Sequence, residues 1–253
     1  MKIYFLKKLL VLFLIVCPVV FVRAQADGKS IIEKAELNTR GKSSYMETNM
    51  EIIRPKWTRS VQFKSWSSES NYGLVFITGP AKEKGQSFLK RNMEVWSWSP
   101  AIRRTIKIPP SMMLQGWMGS DYTNDDLLKA SSVVDDYTHK LLGEETVDGK
   151  RCYKIELKPK DGAAIVWGML LKWVSKDQLV AVKTEYYDEL GELVKTEIAS
   201  NIKTISGRNM PSKLELIPAD KSGSKTIITY SNMKFDIPLG TEIFTQQYMQ
   251  RVK

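Results

Sequence analysis

The chain has 253 residues, with 38 lysines and arginines against 28 acids, and a formal net charge of +10. One histidine and two cysteines remove most zinc sites, histidine-based triads and haem ligation, and they leave packing as the main source of stability. The basic balance suits an anionic membrane surface or an acidic partner.

The first element reads as a targeting segment. Lys2, Lys7 and Lys8 form a positive start, Leu9 to Val22 an apolar run of 14 residues, and "VRAQA" offers small residues for cleavage after Ala24 or Ala26. That run is short for a membrane span, so residues 1–24 are expected to be a cleaved secretory signal. Cys17 would suit a lipoprotein signal, but Val16 stands where a small residue is needed and the apolar run continues past the cysteine. Cleavage removes four cations and no acid, which leaves +6 on residues 25–253. Export argues against a nucleic-acid partner. Only Cys152 then remains, so no intramolecular disulfide is expected.

Residues 27–40 read as a helix with Ile31, Ile32, Ala35 and Leu37 on or near one side and Gly41 as its C-terminal cap. Alternating apolar and polar residues then predict strands at 45–53, 58–66, 71–78, 86–91, 93–99 and 102–108. A helix start follows in the 120s. Further strands are predicted at 131–143, 151–159, 166–174, 179–188, 193–205, 210–219 and 224–237. Turns such as "VDGK", "ELGE" and "KSGSK" link several of them at hairpin length. This pattern predicts one mainly β domain over residues 25–253, built as an antiparallel meander and not from βαβ units.

The alternation is rich in tryptophan and methionine. Trp167, Met169, Leu171 and Trp173 share one strand face, as do Trp96 and Trp98, with serines between them. Two readings stay open at this point, an ordinary sheet core and the lining of a cavity for variable apolar ligands.

The stretch "MMLQGWMGSDYTNDDLLKA" (112–130) carries the densest candidate chemistry. A calcium loop counted from Asp121 would need glycine and glutamate where Asp126 and Ser132 stand, so no metal site is expected. Thr123 and Asp126 instead have the spacing of a capping box ahead of Leu127 and Leu128. Gly116 to Ser120 is not a nucleophile elbow, and no histidine lies near enough in sequence to act as its base. Cys152 lies in an alternating strand, where a buried inert thiol is expected. Asp135 and Asp136 are adjacent in a predicted strand and so point to opposite faces, which suits paired catalytic acids badly. Neither an enzyme nor a cofactor is expected. Arg104 shares a face with Ile102, Ile106 and Ile108, and Arg54 and Arg59 flank Pro55-Lys56-Trp57; these three arginines are candidates for head-group contact or gating.

"VWSWSPAIRRTIKIPP" and "GWMGSDYTNDDLL" together resemble the periplasmic outer-membrane lipoprotein-sorting proteins of the LolA-like superfamily. Trp96, Trp98, Pro100, Arg103, Arg104 and Ile108 carry the first motif, and Gly119, Ser120, Asp121, Tyr122, Asp126 and Leu127 the second. The likeness extends over residues 27–253. It implies an α+β, mainly β fold: a strongly curved, incompletely closed antiparallel β-barrel with helices covering the concave apolar face. It also implies a monomeric periplasmic carrier that shelters lipid or the acyl chains of a lipoprotein, with an inner-membrane transporter as donor and an outer-membrane acceptor. On that basis the cavity reading is preferred. Trp57, Trp66, Trp96, Trp98, Met112, Met113, Leu114, Trp117 and Met118 are then expected to contact or gate the ligand, residues 112–118 acting as a flexible apolar lip. Some relatives are linked to membrane transporters, so an accessory interaction module of an inner-membrane lipid or efflux transporter is the alternative.

Overall fold

Asp27 opens the first helix: its carboxylate accepts the backbone N–H groups of Lys29 and Ser30 at 3.4 and 3.2 Å. The helix, α1 (Gly28–Arg40), ends at Gly41, whose φ of 64° favours glycine and whose N–H reaches the Leu37 carbonyl. Ile31, Ile32 and Ala35 face inward, while Leu37 is exposed. The computed structural model describes residues 27–69, 71–129, 133–163 and 165–253; the expected signal segment lies outside them.

Thirteen strands follow among the described residues. The first group is β1 (Ser43–Arg54), β2 (Trp57–Ser68), β3 (Tyr72–Gly79), β4 (Ser87–Arg91), β5 (Glu94–Ser99) and β6 (Arg104–Lys107). The short helix α2 (Asn124–Lys129) precedes β7 (Tyr137–Val147), β8 (Lys150–Pro159), β9 (Met169–Ser175) and β10 (Ala181–Tyr187). Then come β11 (Leu193–Ile205), β12 (Arg208–Pro218), β13 (Lys225–Phe235) and a one-turn helix, α3 (Gln246–Met249).

All the strands form one sheet in the order β6-β5-β4-β3-β2-β1-β13-β12-β11-β10-β9-β8-β7. Every neighbouring pair is antiparallel and sequential except β1–β13, which joins the two meanders through register pairs such as Met50–Ile228. The free edges are β6 and β7, so the curved sheet stops short of closing. Helix α1 and the segment between β6 and β7 fill the concave side, where Ile52, Val61, Phe63, Met113 and Trp117 form one buried cluster and Ile32, Ile155, Leu157 and Trp167 another. No helix among the described residues is long and apolar enough to cross a membrane.

Three differences from the sequence reading have local causes. The strand predicted at 131–143 begins only at Tyr137, paired with Pro159, which has no N–H to extend the ladder further. Asp135 and Asp136 therefore lie before the strand, and their carbonyls accept from the ammonium and backbone N–H of Lys160. Trp167 does not share a face with Leu171 and Trp173, because β9 starts after Gly168. That glycine packs against the Asp188 carbonyl where a Cβ would not fit, and Trp167 turns inward. Finally, the C-terminal segment covers the outer face over β2 to β5. Phe244 and Met249 are buried there with Leu74 and Leu89, against half-buried Trp66, Trp96 and Trp98.

Candidate functional site

Between the concave face, α1 and the segment leading to α2 lies a cavity of about 320 Å³. Part of its wall is apolar. The inward positions of β2, β3 and β4 supply Phe63, Val75 and Phe88, and β12 and β13 supply Leu214 and Ile228. Trp117 completes this part: it is 1% exposed and packs edge-on against Phe63 and Phe88 at 5.2 and 5.3 Å. Polar groups share the lining: Glu36 and Arg40 from α1, Lys90 from β4, Asp125 and Asp126 from α2, Lys172 from β9, Glu197 from β11, and Tyr186 and Tyr230, whose rings pack against the same apolar cluster.

Trp117 owes its position to a pinned loop. Gly116 and Thr123 bridge as a short antiparallel pair, and the Trp117 N–H donates to the Tyr122 carbonyl at 2.7 Å. Between them Met118 and Gly119 take φ of 52° and 77°, which lets the chain turn back within a few residues. Asn124 Nδ2 donates to the Met112 carbonyl at 2.8 Å. Thr123 and Asp126 form the expected capping box: the Asp126 N–H reaches Thr123 Oγ1 at 3.1 Å, and the Thr123 N–H reaches Asp126 Oδ2 at 2.7 Å.

Two arginines fasten the loop to the barrel. Arg54 holds the Asp121 carboxylate through both guanidinium nitrogens, at 2.9 and 3.0 Å, and donates to the Gly119 carbonyl. Thr226 Oγ1 adds a hydrogen bond to Asp121 at 2.7 Å. Arg59 donates to the Met118 carbonyl at 3.3 Å and to Glu83 at 2.9 Å. Behind the loop, Lys195 forms an ion pair with Asp126, whose other oxygen accepts from Trp167 Nε1 at 3.0 Å. The Lys195 ammonium also lies 4.4 Å from the Trp167 ring centre and 4.9 Å from that of Tyr186.

In the same wall Glu197 accepts the Tyr122 hydroxyl at 2.7 Å. Burial raises the Glu197 carboxyl above its ordinary range, although the Tyr122 hydrogen bond and the nearby Lys172 pull the other way. Burial pushes the Tyr122, Tyr186 and Tyr230 phenols up as well, reinforced by the Glu197 charge. His139 stands apart from the cavity, its Nε2 2.9 Å from the Val133 carbonyl, and burial lowers its pKa. Cys152 is fully buried, and burial raises its thiol. Among the described residues no group of three or more His, Cys, Asp and Glu is arranged to hold a metal.

The structure brings together only part of the set predicted from sequence. Trp117 forms the cavity wall, Met113 is buried beside it and Met118 is half-buried against the same cluster. Trp66 touches both the cavity and the outer cluster, 5.4 Å from Tyr45. Trp96 and Trp98 lie outside the lining, because their face of β5 is the outer one covered by the C-terminal segment. Trp57 is 51% exposed at the β1–β2 turn, stacked on Arg54. Met112 and Leu114 are exposed, so residues 112–118 form a pinned plug with an exposed rim, not a free lip. Arg54 and Arg59 are taken up in holding it. Arg104 is exposed on the edge strand β6 beside the exposed Ile106 and so needs no buried partner; Ile102 lies exposed in the preceding turn, and Ile108, just beyond the strand, is buried. Sequence reasoning missed Lys172, Tyr186, Glu197 and Tyr230. Their only signal is that charged and phenolic residues occupy alternate positions of strands whose neighbours on the same face are apolar.

An open, strongly curved antiparallel sheet whose concave face is covered by helix and loop around a cavity is the half-barrel architecture of a LolA-like protein. The chain belongs to the LolA-like superfamily. A family model described as "Uncharacterized protein" matches residues 69–251. A LolA superfamily protein from Nitrosomonas europaea is 26% identical over 88% of this chain and 100% of its own, with a TM-score of 0.78. A DUF1329 family protein from Desulfovibrio piger is 28% identical over 88% of this chain and 98% of its own, with a TM-score of 0.81. A putative outer membrane lipoprotein-sorting protein domain from Vibrio parahaemolyticus shares the fold at a TM-score of 0.78 and 21% identity, over 88% of this chain and 98% of its own. None of the curated proteins matches the chain.

Proposed function

We propose that the protein is a periplasmic carrier that shelters acyl chains in its half-barrel during transfer toward the outer membrane. The observation that carries this reading is the apolar part of the cavity wall, formed by Phe63, Phe88, Trp117 and Ile228. Relatives described as LolA superfamily and lipoprotein-sorting proteins support it. An acyl chain that placed about ten methylenes in the cavity would gain about 0.8 kcal/mol for each. Their burial contributes about 8 kcal/mol before the costs of association, enough for capture yet compatible with release. Such a carrier breaks no bond and needs no cofactor. The loop at 116–121 is the element that must move for exchange, and Arg54 and Arg59 hold it shut.

An accessory role on a membrane transporter is supported by a different feature. Leu114 and the 87% exposed Leu190 flank an outer cleft of about 580 Å³, separated from the inner cavity by Trp167. Native mass spectrometry of the purified protein tests the carrier reading. A co-purifying lipid or acylated protein is expected, and a protein that stays empty and also fails to bind a fluorescent fatty acid would overturn it.

A further inference from the structure

The hairpin between β10 and β11 runs against the charge of the chain. Residues 25–253 carry +6 in total, yet the turn Asp188-Glu189-Leu190-Gly191-Glu192 holds three acids and no cation. Its backbone is fixed. The Asp188 carboxylate accepts the Leu190 and Glu192 N–H groups at 2.9 Å each, Gly191 takes a φ of 82°, and Gly168 packs against the Asp188 carbonyl. Leu190 is thereby held out in solvent, 87% exposed. Leu114, 59% exposed, lines the same outer cleft, together with Val166, Val194 and Pro218.

Of the charged groups lining the cleft, Asp121 is taken up by Arg54 and Lys195 by Asp126, and both are buried. The remaining ones are Asp188, Glu189 and Asp220 against Lys221. None of these three acids has an ion-pair partner among the described residues, and Glu189 and Asp220 are exposed. An apolar cleft with an excess of free acids repels an anionic lipid surface and suits a cationic, apolar polypeptide. Its floor includes Gly116, Ser120 and Thr123, so a segment seated there touches the loop that closes the inner cavity. We propose that the outer cleft docks a segment of a partner protein in which lysine or arginine stands beside leucine-like side chains. The apolar side chains lie between Leu114 and Leu190, and the cations meet Glu189 and Asp220. The inference rests on the accessory reading, names its partner chemistry, and is independent of what the inner cavity holds.

Fluorescence anisotropy of the purified protein with three labelled amphipathic peptides tests it: lysine–leucine, glutamate–leucine and lysine–serine. The lysine–leucine peptide is expected to bind at one per protein, at least about tenfold more tightly than the other two, and more weakly as salt is raised. Glu189→Lys combined with Asp220→Lys should weaken it by about tenfold or more, and Leu190→Ser by about tenfold. These side chains make no hydrogen bond among the described residues, so the variants should fold, which circular dichroism checks. Glu242→Lys, exposed and outside the cleft, should change the affinity by about twofold or less. Bound peptide should also slow amide exchange across residues 114–123. If the glutamate–leucine peptide binds as tightly and Leu190→Ser weakens it, the cationic partner is overturned while the accessory reading stands. If no peptide binds, or the cleft variants leave binding unchanged, both fall. Sedimentation with phosphatidylglycerol vesicles that Leu190→Ser abolishes would assign the cleft to a membrane and overturn a protein partner. Uptake of a fluorescent fatty acid, measured in parallel, tests the carrier reading separately.

Discussion

Replacing Lys195 by methionine should cost the protein several kilocalories and loosen the plug. Lys195 and Asp126 are 3% and 5% exposed in their side chains, and their ion pair ties β11 to the start of α2. The same ammonium donates to the Asp121 carbonyl at 3.2 Å and sits on the Trp167 and Tyr186 rings. Methionine fills much of the volume but leaves Asp126 charged and buried, held only by Trp167 Nε1 and the Thr123 N–H. Breaking a buried pair by removing one partner typically costs about 3–5 kcal/mol, most of it the desolvated charge left behind. With a urea m-value of about 3 kcal/mol/M, that loss moves the unfolding midpoint down by about 1–1.7 M. Urea titration followed by tryptophan fluorescence reads the shift. The double variant Lys195→Met, Asp126→Asn should recover part of the loss, because no unpaired charge remains. A midpoint within about 0.3 M of the parent, or strictly additive single and double changes, would refute the reasoning.

Other expectations follow from the same geometry. Thr123→Ala removes one half of the capping box and should cost about 1 kcal/mol by urea titration, leaving the Thr123 N–H bond to Asp126 in place. Trp117→Ala should cost about 3–5 kcal/mol by the same titration and abolish binding of a fluorescent fatty acid. Trp57→Ala, half-exposed and outside the cavity, should change stability by about 1 kcal/mol or less and leave uptake intact. Glu197 has a folded-state pKa above its ordinary value of 4.5, so the folded protein holds that proton more tightly than the unfolded chain does. Its contribution is therefore full below about pH 4.5 and is lost as the pH rises through the elevated value; Glu197→Gln should flatten that part of the stability profile measured by thermal melts.

Local signals in the sequence read correctly wherever neighbouring residues decide the outcome. Helix α1 has its Asp27 and Gly41 boundaries, and Thr123 and Asp126 cap α2, because capping involves groups only a few positions apart. The strands appear in the predicted order because alternation is a property of short windows. The candidate site was less legible. Trp117 and its methionine neighbours stood out by composition, whereas Lys172 and Glu197 read as ordinary strand charges. Arg54 and Arg59 looked free because Asp121, Met118 and Glu83 lie far from them in sequence.

Composition, alternation and capping thus determined by themselves that residues from Asp27 onward form a helix followed by a long antiparallel meander with one tryptophan-rich, methionine-rich loop. Only the tertiary structure decided which strand face is concave. Alternation defines two faces but does not rank them, and here α1 and the plug cover one face while the C-terminal segment covers part of the other, over β2 to β5. On β2, β4 and β5 the pairing places Phe63 and Phe88 on the cavity side and Trp96 and Trp98 on the outer side. Residues from distant strands meet across that concavity, and there an apolar cavity acquires its polar groups.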